Sequence, residues 1–357
     1  MNIKMTACAA ALCALALSGC GKDAPQQEAT RATGKTMGTF YSVQAVGGYK
    51  DGPQSLQRDC DAQFKKITDA ISTFDKNAEL ARIDADATTD PIEISHYLAG
   101  IIRGCLKQSE RIGYAMDVSV GPLVNLWGFG PDKRPSSIPS GEEIARARAL
   151  TGPGSFRIFE KDGREYLQKR DAAVRIDLST VGEGLGADAA AEMLDKEGVK
   201  DYLASVAGAS RSKGRNLRGE DWRIGIEDPS NPDHNVFQAV CPLGMAMSTA
   251  GSYRNYFKDQ QSGRIFSHAI DPKTGAPVSH STMSVTVIAK TAFETDALDT
   301  GLLVLGADEA LKLANREGMA IFTIEMKDGK PFARYSKAFA PYLKCAGKVN
   351  ATLEEAQ

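Results

Sequence analysis

Residues 285–306 read VTVIAKTAFETDALDTGLLVLG and join a strand-like run to a helical one. The apolar, largely β-branched run Met283–Ala289 predicts a strand, and the segment Thr295–Leu305 predicts a helix. A second helix over Ala307–Arg316 and a second strand over Ile321–Glu325 follow in the chain. Because strands and helices mix here without strict βαβ order, we expect an α+β fold with antiparallel strands.

The rest of the chain predicts further elements of the same domain. Apolar residues recur at three- and four-residue steps in one of the helices, and Ser140 before two glutamates is a helix-start signal. We see no internal repeat and no interdomain linker after residue 33, so we expect one globular domain over residues 33–345 and a C-terminal tail over 346–357. The remaining predicted elements are strands at 39–46 and Trp222–Glu227 and helices at 54–74, 98–113 and Asp188–Lys196.

The N-terminus has the pattern of an exported lipoprotein. Lys4 precedes an apolar stretch that is too short to span a bilayer comfortably, which is typical of a secretory signal peptide. Residues 17–20, LSGC, resemble a bacterial lipobox, so we expect removal of residues 1–19 and acylation of Cys20. An ordinary signal peptide with incidental cysteines is the alternative. The polar residues 20–32 predict a flexible tether between lipid and domain.

The net charge argues against a nucleic-acid partner, and the cysteine spacing argues against a cysteine-based metal site. The net charge is −2, whereas a protein whose main partner is nucleic acid would carry a basic patch, so we expect no nucleic-acid partner. The cysteines outside the signal and anchor are widely spaced and lack a CxxC pair, which argues against a metal knuckle. These four cysteines are Cys60, Cys105, Cys241 and Cys345. They allow three disulfide pairings, and buried free thiols are the alternative.

The predicted helix Thr295–Leu305 carries two acids and a threonine on one face. Asp296 and Thr300 are four positions apart, and Asp299 lies beside them at the third position. Carboxylate and hydroxyl oxygens are hard ligands that suit Mg²⁺, with water and a phosphate completing the shell. The alternative is helix capping, with Thr295 as the N-cap and the acids at the positive end of the helix.

Two further segments suggest chemistry. His268 stands shortly before the turn-forming residues 271–275, DPKTG, and a histidine there suits a general base, which Asp271 would orient. A structural histidine with one hydrogen bond is the alternative. Residues 177–184, DLSTVGEG, contain glycines that let the backbone approach a ligand, and their carbonyls could reach a cation. A plain loop-to-helix turn is the alternative there.

Taken together and in this order, the motifs of the chain resemble those of the FAD:protein FMN transferases, the ApbE family. The resemblance extends from residue 33 to about residue 340 and includes the lipobox. The matching pieces are KTMGT at 35–39, AMDVSVGPLVNLWGFGPDK at 115–133, DLSTVGEG at 177–184, WRIGIEDP at 222–229, STAGSYRNYF at 248–257, SHAIDPKTGAPV at 267–278 and the quoted residues 285–306.

The resemblance implies a specific activity. Members of this family use Mg²⁺ and move FMN from FAD to a Thr or Ser hydroxyl of a target protein through a phosphoester bond, releasing AMP. The acceptors are periplasm-facing subunits of membrane redox complexes, so the resemblance implies a protein anchored by lipid on the periplasmic side of the inner membrane. It also implies a T-fold-like core. The alternatives are a Mg²⁺-dependent FAD pyrophosphatase and a non-catalytic flavin-binding lipoprotein.

Position by position, the resemblance also implies site residues. The metal ligands would be Asp296, Asp299, Thr300 and the Gly182 carbonyl, with His268 near the reacting centre. The sequence departs from the family where many members carry a tyrosine, an aromatic residue or an acid, namely at Phe74, Leu185 and Ser210. The implied FAD contacts are Met37, Phe74, Ala115, Met116, Asp117, Ser179, Leu185 and Ile270.

Overall fold

The protein is described from a computed structural model. The structure describes residues 28–132, 137–231, 233, 235–253, 255–259, 263–345 and 353–356. The expected signal peptide and the expected anchor Cys20 lie outside these residues. Within them, no helix combines the length and the apolar character needed to cross a membrane.

Helices and strands are interleaved along the chain. The helices are Pro53–Ile71 (α1), Glu79–Ala85 (α2), His96–Arg111 (α3), Gly121–Leu126 (α4), Gly141–Arg148 (α5), Gly182–Lys196 (α6), Ala292–Leu305 (α7), Ala307–Glu317 (α8) and Ala340–Leu343 (α9). The strands are Ala29–Thr36 (β1), Thr39–Val46 (β2), Ile92–Ile94 (β3), Phe156–Lys161 (β4), Arg164–Lys169 (β5), Asp201–Val206 (β6), Ala209–Lys213 (β7), Ile224–Glu227 (β8), Val236–Val240 (β9), Ala246–Gly251 (β10), Tyr256–Lys258 (β11), Ile265–Ser267 (β12), Ile270–Asp271 (β13), Ala276–Pro277 (β14), Thr282–Ala289 (β15), Ala320–Lys327 (β16), Lys330–Tyr335 (β17) and Leu353–Glu355 (β18).

A nine-stranded sheet with the order β1-β2-β6-β7-β10-β15-β16-β17-β18 forms the centre of the fold. Its neighbouring strands are antiparallel, except that β17 and β18 run parallel. This pairing agrees with the expected α+β class. Smaller sheets are formed by β3-β5-β4, β8-β9, β11-β12 and β13-β14.

The two faces of the sheet pack against different layers. Side chains alternate across a strand, so Val285 and Val287 of β15 join the core formed with α3, α7 and α8, whereas Ile288 faces the opposite side. That opposite side packs against β8, β9 and α9. Helix α7 therefore lies directly on the sheet, against β10 and β15.

Both ends of the domain differ from the sequence-based expectation. The expected tether over residues 20–32 overlaps β1, which starts at Ala29 and pairs with β2, so residues 29–32 belong to the folded domain. The expected tail over 346–357 contains β18, which pairs with β17. Both segments are polar, and amino-acid composition alone does not predict that a segment pairs with a strand distant in sequence.

The structure also selects one disulfide from the open pairings. Cys241 is bonded to Cys345 across a sequence separation of 104 residues, with a Cα–Cα distance of 6.1 Å. Cys60 and Cys105 are buried free thiols. The disulfide ties the segment before β10 to the residues after α9.

Candidate functional site

Helix α7 starts earlier than the sequence suggests. Its N-cap is Thr291, whose side chain accepts a hydrogen bond from the Glu294 N–H at 3.2 Å. Thr295 lies inside the helix, and its hydroxyl donates to the Ala292 carbonyl at 2.9 Å. The alternative that made Thr295 the N-cap is therefore wrong. Asp296 lies beyond the first turn, where capping does not account for a carboxylate.

Asp296 and Asp299, called the acidic pair below, lie between α7 and β10 and are only 6% and 2% exposed. Ser248 of β10 touches both: its Oγ is 3.1 Å from Asp296 Oδ1 and 2.6 Å from Asp299 Oδ2. The Gly184 N–H donates to Asp296 Oδ2 at 2.6 Å, and the Thr300 hydroxyl donates to Asp299 Oδ1 at 3.2 Å. The structure thus gathers three of the expected metal ligands, Asp296, Asp299 and Thr300, in one cluster.

The electrostatics of the acidic pair favour a gain of positive charge. Burial raises the pKa of Asp296 well above its usual value, and the charges of Asp299 and Glu183 raise it further. Burial also raises the pKa of Asp299 to about 8, with Glu183 adding to the effect while the hydrogen bond from Ser248 opposes it. The charged groups that act on the pair are themselves carboxylates, so the site is set to take up a cation or a proton.

Residues 177–184 form a 3₁₀ turn over Ser179–Val181 that leads straight into α6. The helix begins at Gly182, well before the predicted start at Asp188. A glycine is required at position 184, because a Cβ there would lie 2.2 Å from the Ala292 carbonyl oxygen. This close approach brings Gly184, in the first turn of α6, to the acidic pair, while Gly182 at the start of that turn faces Met37 and Ile71.

Sequence reasoning missed several groups at this site. They are Ser248, the backbone N–H of Gly184 and the Glu183 carboxylate. The hydroxyl of Thr180, in the 3₁₀ turn that contacts α7, is buried and has no hydrogen-bond partner within the described part of the chain. Each belongs to one of the quoted motifs at 177–184 and 248–257, which was the available signal. Their convergence on α7 could not be seen from the sequence.

The donor set has a definite chemical character. Among the residues that the structure describes, no group of three or more His, Cys, Asp or Glu side chains is placed to hold a metal ion. A cation at the acidic pair would therefore depend on two carboxylates together with hydroxyl and carbonyl oxygens. Oxygen-only donor sets of this kind fit Mg²⁺, which keeps several waters and binds through one or two carboxylates.

Three of the expected flavin contacts lie close to the helices of the site. Met37 is at the tip of the β1–β2 hairpin, and its Sδ lies 3.5 Å from where a Cβ on Gly182 would be. Ala115 and Met116 are buried, and the Met116 backbone nitrogen lies 2.9 Å from where a Cβ on Gly301 of α7 would be. Glycines thus let both segments approach α6 and α7.

Two other expected contacts are engaged in local turns. The Asp117 carboxylate accepts hydrogen bonds from the Ser119 N–H at 2.8 Å and from the Gly152 N–H at 2.7 Å. The Ser179 N–H donates to the Asp177 carboxylate at 2.8 Å, and Ser179 itself is exposed. Asp117 therefore shapes the turn that carries Ala115 and Met116.

The remaining expected contacts have contrasting environments. Helix α1 ends at Ile71 and not at residue 74, so Phe74 lies in the following loop, where it is 66% exposed. Leu185 is half-buried on α6 and packs against the main core. Ile270 is buried in a separate cluster with Trp127 and Phe266. The cluster that contains Ile270 lies beside His268, because Phe129 packs against both.

His268 follows β12, and a backbone carbonyl fixes its ring. Its Nδ1 lies 3.0 Å from the Asn255 carbonyl oxygen, which also accepts the His268 N–H at 3.0 Å. Since a carbonyl only accepts, Nδ1 carries a proton, and in the neutral ring Nε2 is an acceptor. Burial lowers the pKa of His268 below its usual value, which favours this neutral form. The ring also meets Phe129 edge-on, with 6.3 Å between centroids.

The expectation that Asp271 orients His268 is wrong. Asp271 Oδ1 accepts the Lys273 N–H at 2.9 Å, and the Asp271 carbonyl accepts the Gly275 N–H at 2.8 Å. Its groups close the turn after β13, because an Asp-Pro-Lys-Thr-Gly sequence satisfies its own backbone. The orienting group is Asn255.

Comparison with known proteins places this geometry in a family. The chain is 41% identical over 333 residues to a protein named FAD:protein FMN transferase from Klebsiella pneumoniae (strain 342), covering 92% of this chain and 94% of that protein. It is 40% identical over 351 residues to a protein of the same name from Escherichia coli (strain K12), covering 96% and 99%.

Solved structures share the fold. The flavin transferase ApbE from Vibrio cholerae superposes with a TM-score of 0.80 at 33% identity, covering 89% of this chain and all (100%) of that one. The apo form of the Pseudomonas stutzeri flavinyl transferase ApbE gives a TM-score of 0.80 at 33% identity, covering 90% and 98%. The family model described as ApbE family matches residues 37–323, which include the acidic pair, the α6 turn and His268. The chain therefore belongs to the ApbE family.

Proposed function

We propose that this protein is a flavin transferase that moves FMN from FAD to a Thr or Ser hydroxyl of an acceptor protein and releases AMP. The observation that carries the proposal is the buried acidic pair of an ApbE-family chain, held by Ser248 and by the α6 turn. Met37 and Met116 approach the same helices, so a dinucleotide bound there would bring its pyrophosphate to the acidic pair.

The acidic pair is proposed to hold a magnesium ion. Three of the four carboxylate oxygens of Asp296 and Asp299 accept a hydrogen bond, and the fourth, Asp296 Oδ1, lies 3.1 Å from Ser248 Oγ, so each oxygen keeps a lone pair for a cation. Asp296, Asp299 and Thr300 would hold the ion, with the Gly182 carbonyl and the unpartnered Thr180 hydroxyl as further oxygens. When bound, Mg²⁺ neutralises charge that develops on the pyrophosphate oxygens.

The surrounding residues are proposed to position FAD. Phe74 offers an exposed ring for stacking, which does not need the tyrosine hydroxyl that many members carry. Leu185 and Ile270 offer apolar contacts. Met37, Ala115, Met116, Asp117 and Ser179 would supply the remaining contacts from the turns at the N-terminus of α6 and beside Gly301.

His268 is proposed to take the proton of the acceptor hydroxyl. The carbonyl of Asn255 holds the Nδ1 proton, and burial keeps the ring neutral, so Nε2 is the basic atom. The hydroxyl oxygen attacks the FMN-side phosphorus and a new P–O bond forms. The bond from that phosphorus to the bridging oxygen breaks, and AMP leaves with that oxygen.

The place of action is also part of the proposal. An acyl anchor on Cys20 and a tether up to residue 28 would hold the enzyme on the periplasmic side of the inner membrane, where subunits of membrane redox complexes are its proposed acceptors. Confinement to one membrane surface raises the effective concentration of enzyme for such acceptors.

The test is incubation of the purified protein with FAD, Mg²⁺ and a candidate acceptor domain, followed by mass spectrometry of the acceptor. We expect a covalent FMN on Thr or Ser and one AMP per FMN transferred. Asp296→Asn should abolish the reaction, whereas Glu294→Gln on the same helix, whose carboxylate pairs with Arg111 at 2.7 Å, should retain it. AMP release at full rate without an acceptor would identify a pyrophosphatase, and FAD binding without AMP release would identify a carrier.

A further inference from the structure

We infer that Ser248 is the positioning residue of the acidic pair: its hydroxyl holds the Asp296 and Asp299 carboxylates in the relative orientation in which both bind one divalent cation. The inference rests on the proposed function, since it concerns the cation proposed there. Ser248 itself is not required as a ligand.

The Ser248 oxygen is placed between the two carboxylates. It lies 2.6 Å from Asp299 Oδ2 and 3.1 Å from Asp296 Oδ1. A hydroxyl carries one hydrogen, so it donates to one carboxylate at a time, and the shorter distance identifies Asp299 as the usual acceptor. The same oxygen contacts Asp296 and fixes how closely the two carboxylates approach.

The outer oxygens of the acidic pair are also held. The Gly184 N–H engages Asp296 Oδ2 at 2.6 Å, and the Thr300 hydroxyl engages Asp299 Oδ1 at 3.2 Å. With Ser248 in the middle, both oxygens of each carboxylate have a donor or neighbour, so neither carboxylate is free to rotate. Removing the hydroxyl would release the two inner oxygens, Asp296 Oδ1 and Asp299 Oδ2, together.

The register of β10 directs the Ser248 side chain toward α7. Side chains alternate across the strand, so Met247 joins the core on the far side of the sheet while Ser248 points at α7. Ser248 is 1% exposed, and its strand is paired with β15 at Val287. The hydroxyl is therefore built into a rigid element, as is usual for groups that orient metal ligands.

The test compares Mg²⁺ binding to variants of the purified full chain by calorimetry without FAD. We expect Ser248→Ala to raise the Mg²⁺ dissociation constant about 10- to 100-fold, which is the usual effect of losing a group that orients a metal ligand. The Mg²⁺ concentration for half-maximal AMP release should rise by the same factor. Ser248→Thr keeps the hydroxyl and should bind Mg²⁺ more tightly than Ser248→Ala.

Ser212→Ala on the neighbouring strand β7 is the matched control. Ser212 is 2% exposed, and its hydroxyl donates to the Met245 carbonyl at 3.3 Å, so the same atom is deleted from a similar depth. This control should bind Mg²⁺ as the wild type does. A purely structural role for Ser248 would make the two alanine variants equivalent.

The outcomes separate this inference from the proposed function. A wild-type protein that neither binds nor requires Mg²⁺ would overturn the proposed metal site and the inference with it. Normal wild-type binding together with an unchanged dissociation constant in Ser248→Ala would overturn the inference alone. Should the alanine variant fail to fold, Ser248→Cys replaces it, because a thiol is a weak donor. Wild-type Mg²⁺ affinity in that variant would likewise overturn the inference.

Discussion

The carboxylate of Asp188 on α6 accepts a hydrogen bond from the backbone N–H of Phe293, 2.8 Å away at the start of α7. Its other oxygen accepts the Ala292 N–H at 2.9 Å and pairs with Arg211 at 2.8 Å. Two of the unpaired donors at the N-terminus of α7 are thus satisfied by a different helix. This link sets the position of the helix that carries the acidic pair.

We expect Asp188→Ala to lower the free energy of unfolding by about 3 kcal/mol, because it leaves a half-buried Arg211 charge and two helix N–H groups unpaired. Urea unfolding of the purified protein measures the change. Glu142→Ala, which removes an exposed ion pair with Arg146, is the control and should change stability by less than about 0.5 kcal/mol. Equal effects in the two variants would show that Asp188 does not secure α7.

Gly184→Ala should damage the site more than its size suggests. The new Cβ would overlap the Ala292 carbonyl and lie 2.7 Å from Asp296 Cβ, so α6 must move away from α7. Such a displacement breaks the Gly184–Asp296 hydrogen bond and should lower the rate of AMP release about 100-fold, as ångström-scale misplacements do.

Gly100→Ala is the control for this substitution. Gly100 lies in α3 with no atom within 4 Å of an added Cβ, so this variant should keep full activity and gain up to about 1 kcal/mol of stability. A fully active Gly184→Ala enzyme would mean that α6 and α7 do not need their close contact.

The pH dependence of the transfer reaction should reflect His268. Burial lowers the pKa of this ring, so the neutral base persists below its ordinary value of about 6.5, and activity should fall only at more acidic pH. The acidic limb of kcat/KM therefore lies below about pH 6.5. His268→Gln should remove this limb and reduce the rate by about 10²- to 10⁴-fold. His280→Gln, at an exposed site, is the control and should change neither the acidic limb nor the rate. An acidic limb that persists in His268→Gln would show that another group is responsible for the limb.

Asp84 should make the stability of the fold depend on pH. Its carboxylate accepts the Ile176 N–H at 3.0 Å, just before the 177–184 motif, and burial raises its pKa to about 7 from a usual 3.8. A raised pKa in the folded state means that the stabilising contribution is complete below the unfolded pKa and is lost as pH rises through 7. The loss across this window is up to about 4 kcal/mol.

Urea unfolding between pH 4.5 and pH 8 checks this prediction. The stability of the wild type relative to Asp84→Asn should fall as the pH rises, because the amide does not titrate. Asp90→Asn, which removes a carboxylate at an exposed site, is the matched control. A pH-independent difference for Asp84→Asn would contradict the shifted pKa.

The local elements of the fold were largely readable from the sequence. The strand over residues 39–46 coincides with β2, the apolar periodicity of 54–74 identifies α1, and the helix predicted over 98–113 corresponds to α3. Ser140 and Glu143 form the capping box that the helix-start signal predicts. These features depend on residues a few positions apart, so a single segment contains the information needed to predict them.

The start of α6 was not predictable in the same way. Gly182, Glu183 and Gly184 read as a loop, because glycine has a low intrinsic helix propensity. They form the first turn of α6, and α7 packs so closely against this turn that no side chain fits at 184. Tertiary contact therefore overrides local preference at the point where the site is built.

The sequence by itself determined that Asp296, Asp299 and Thr300 share one helical face, since that follows from the helix period alone. Only the tertiary structure decided what meets this face. Ser248 comes from 48 and 51 residues away and Gly184 from 112 residues away, while the disulfide Cys241–Cys345 spans 104. Contacts at such separations depend on how the sheet orders its strands and how the helices pack on it, which no local pattern specifies.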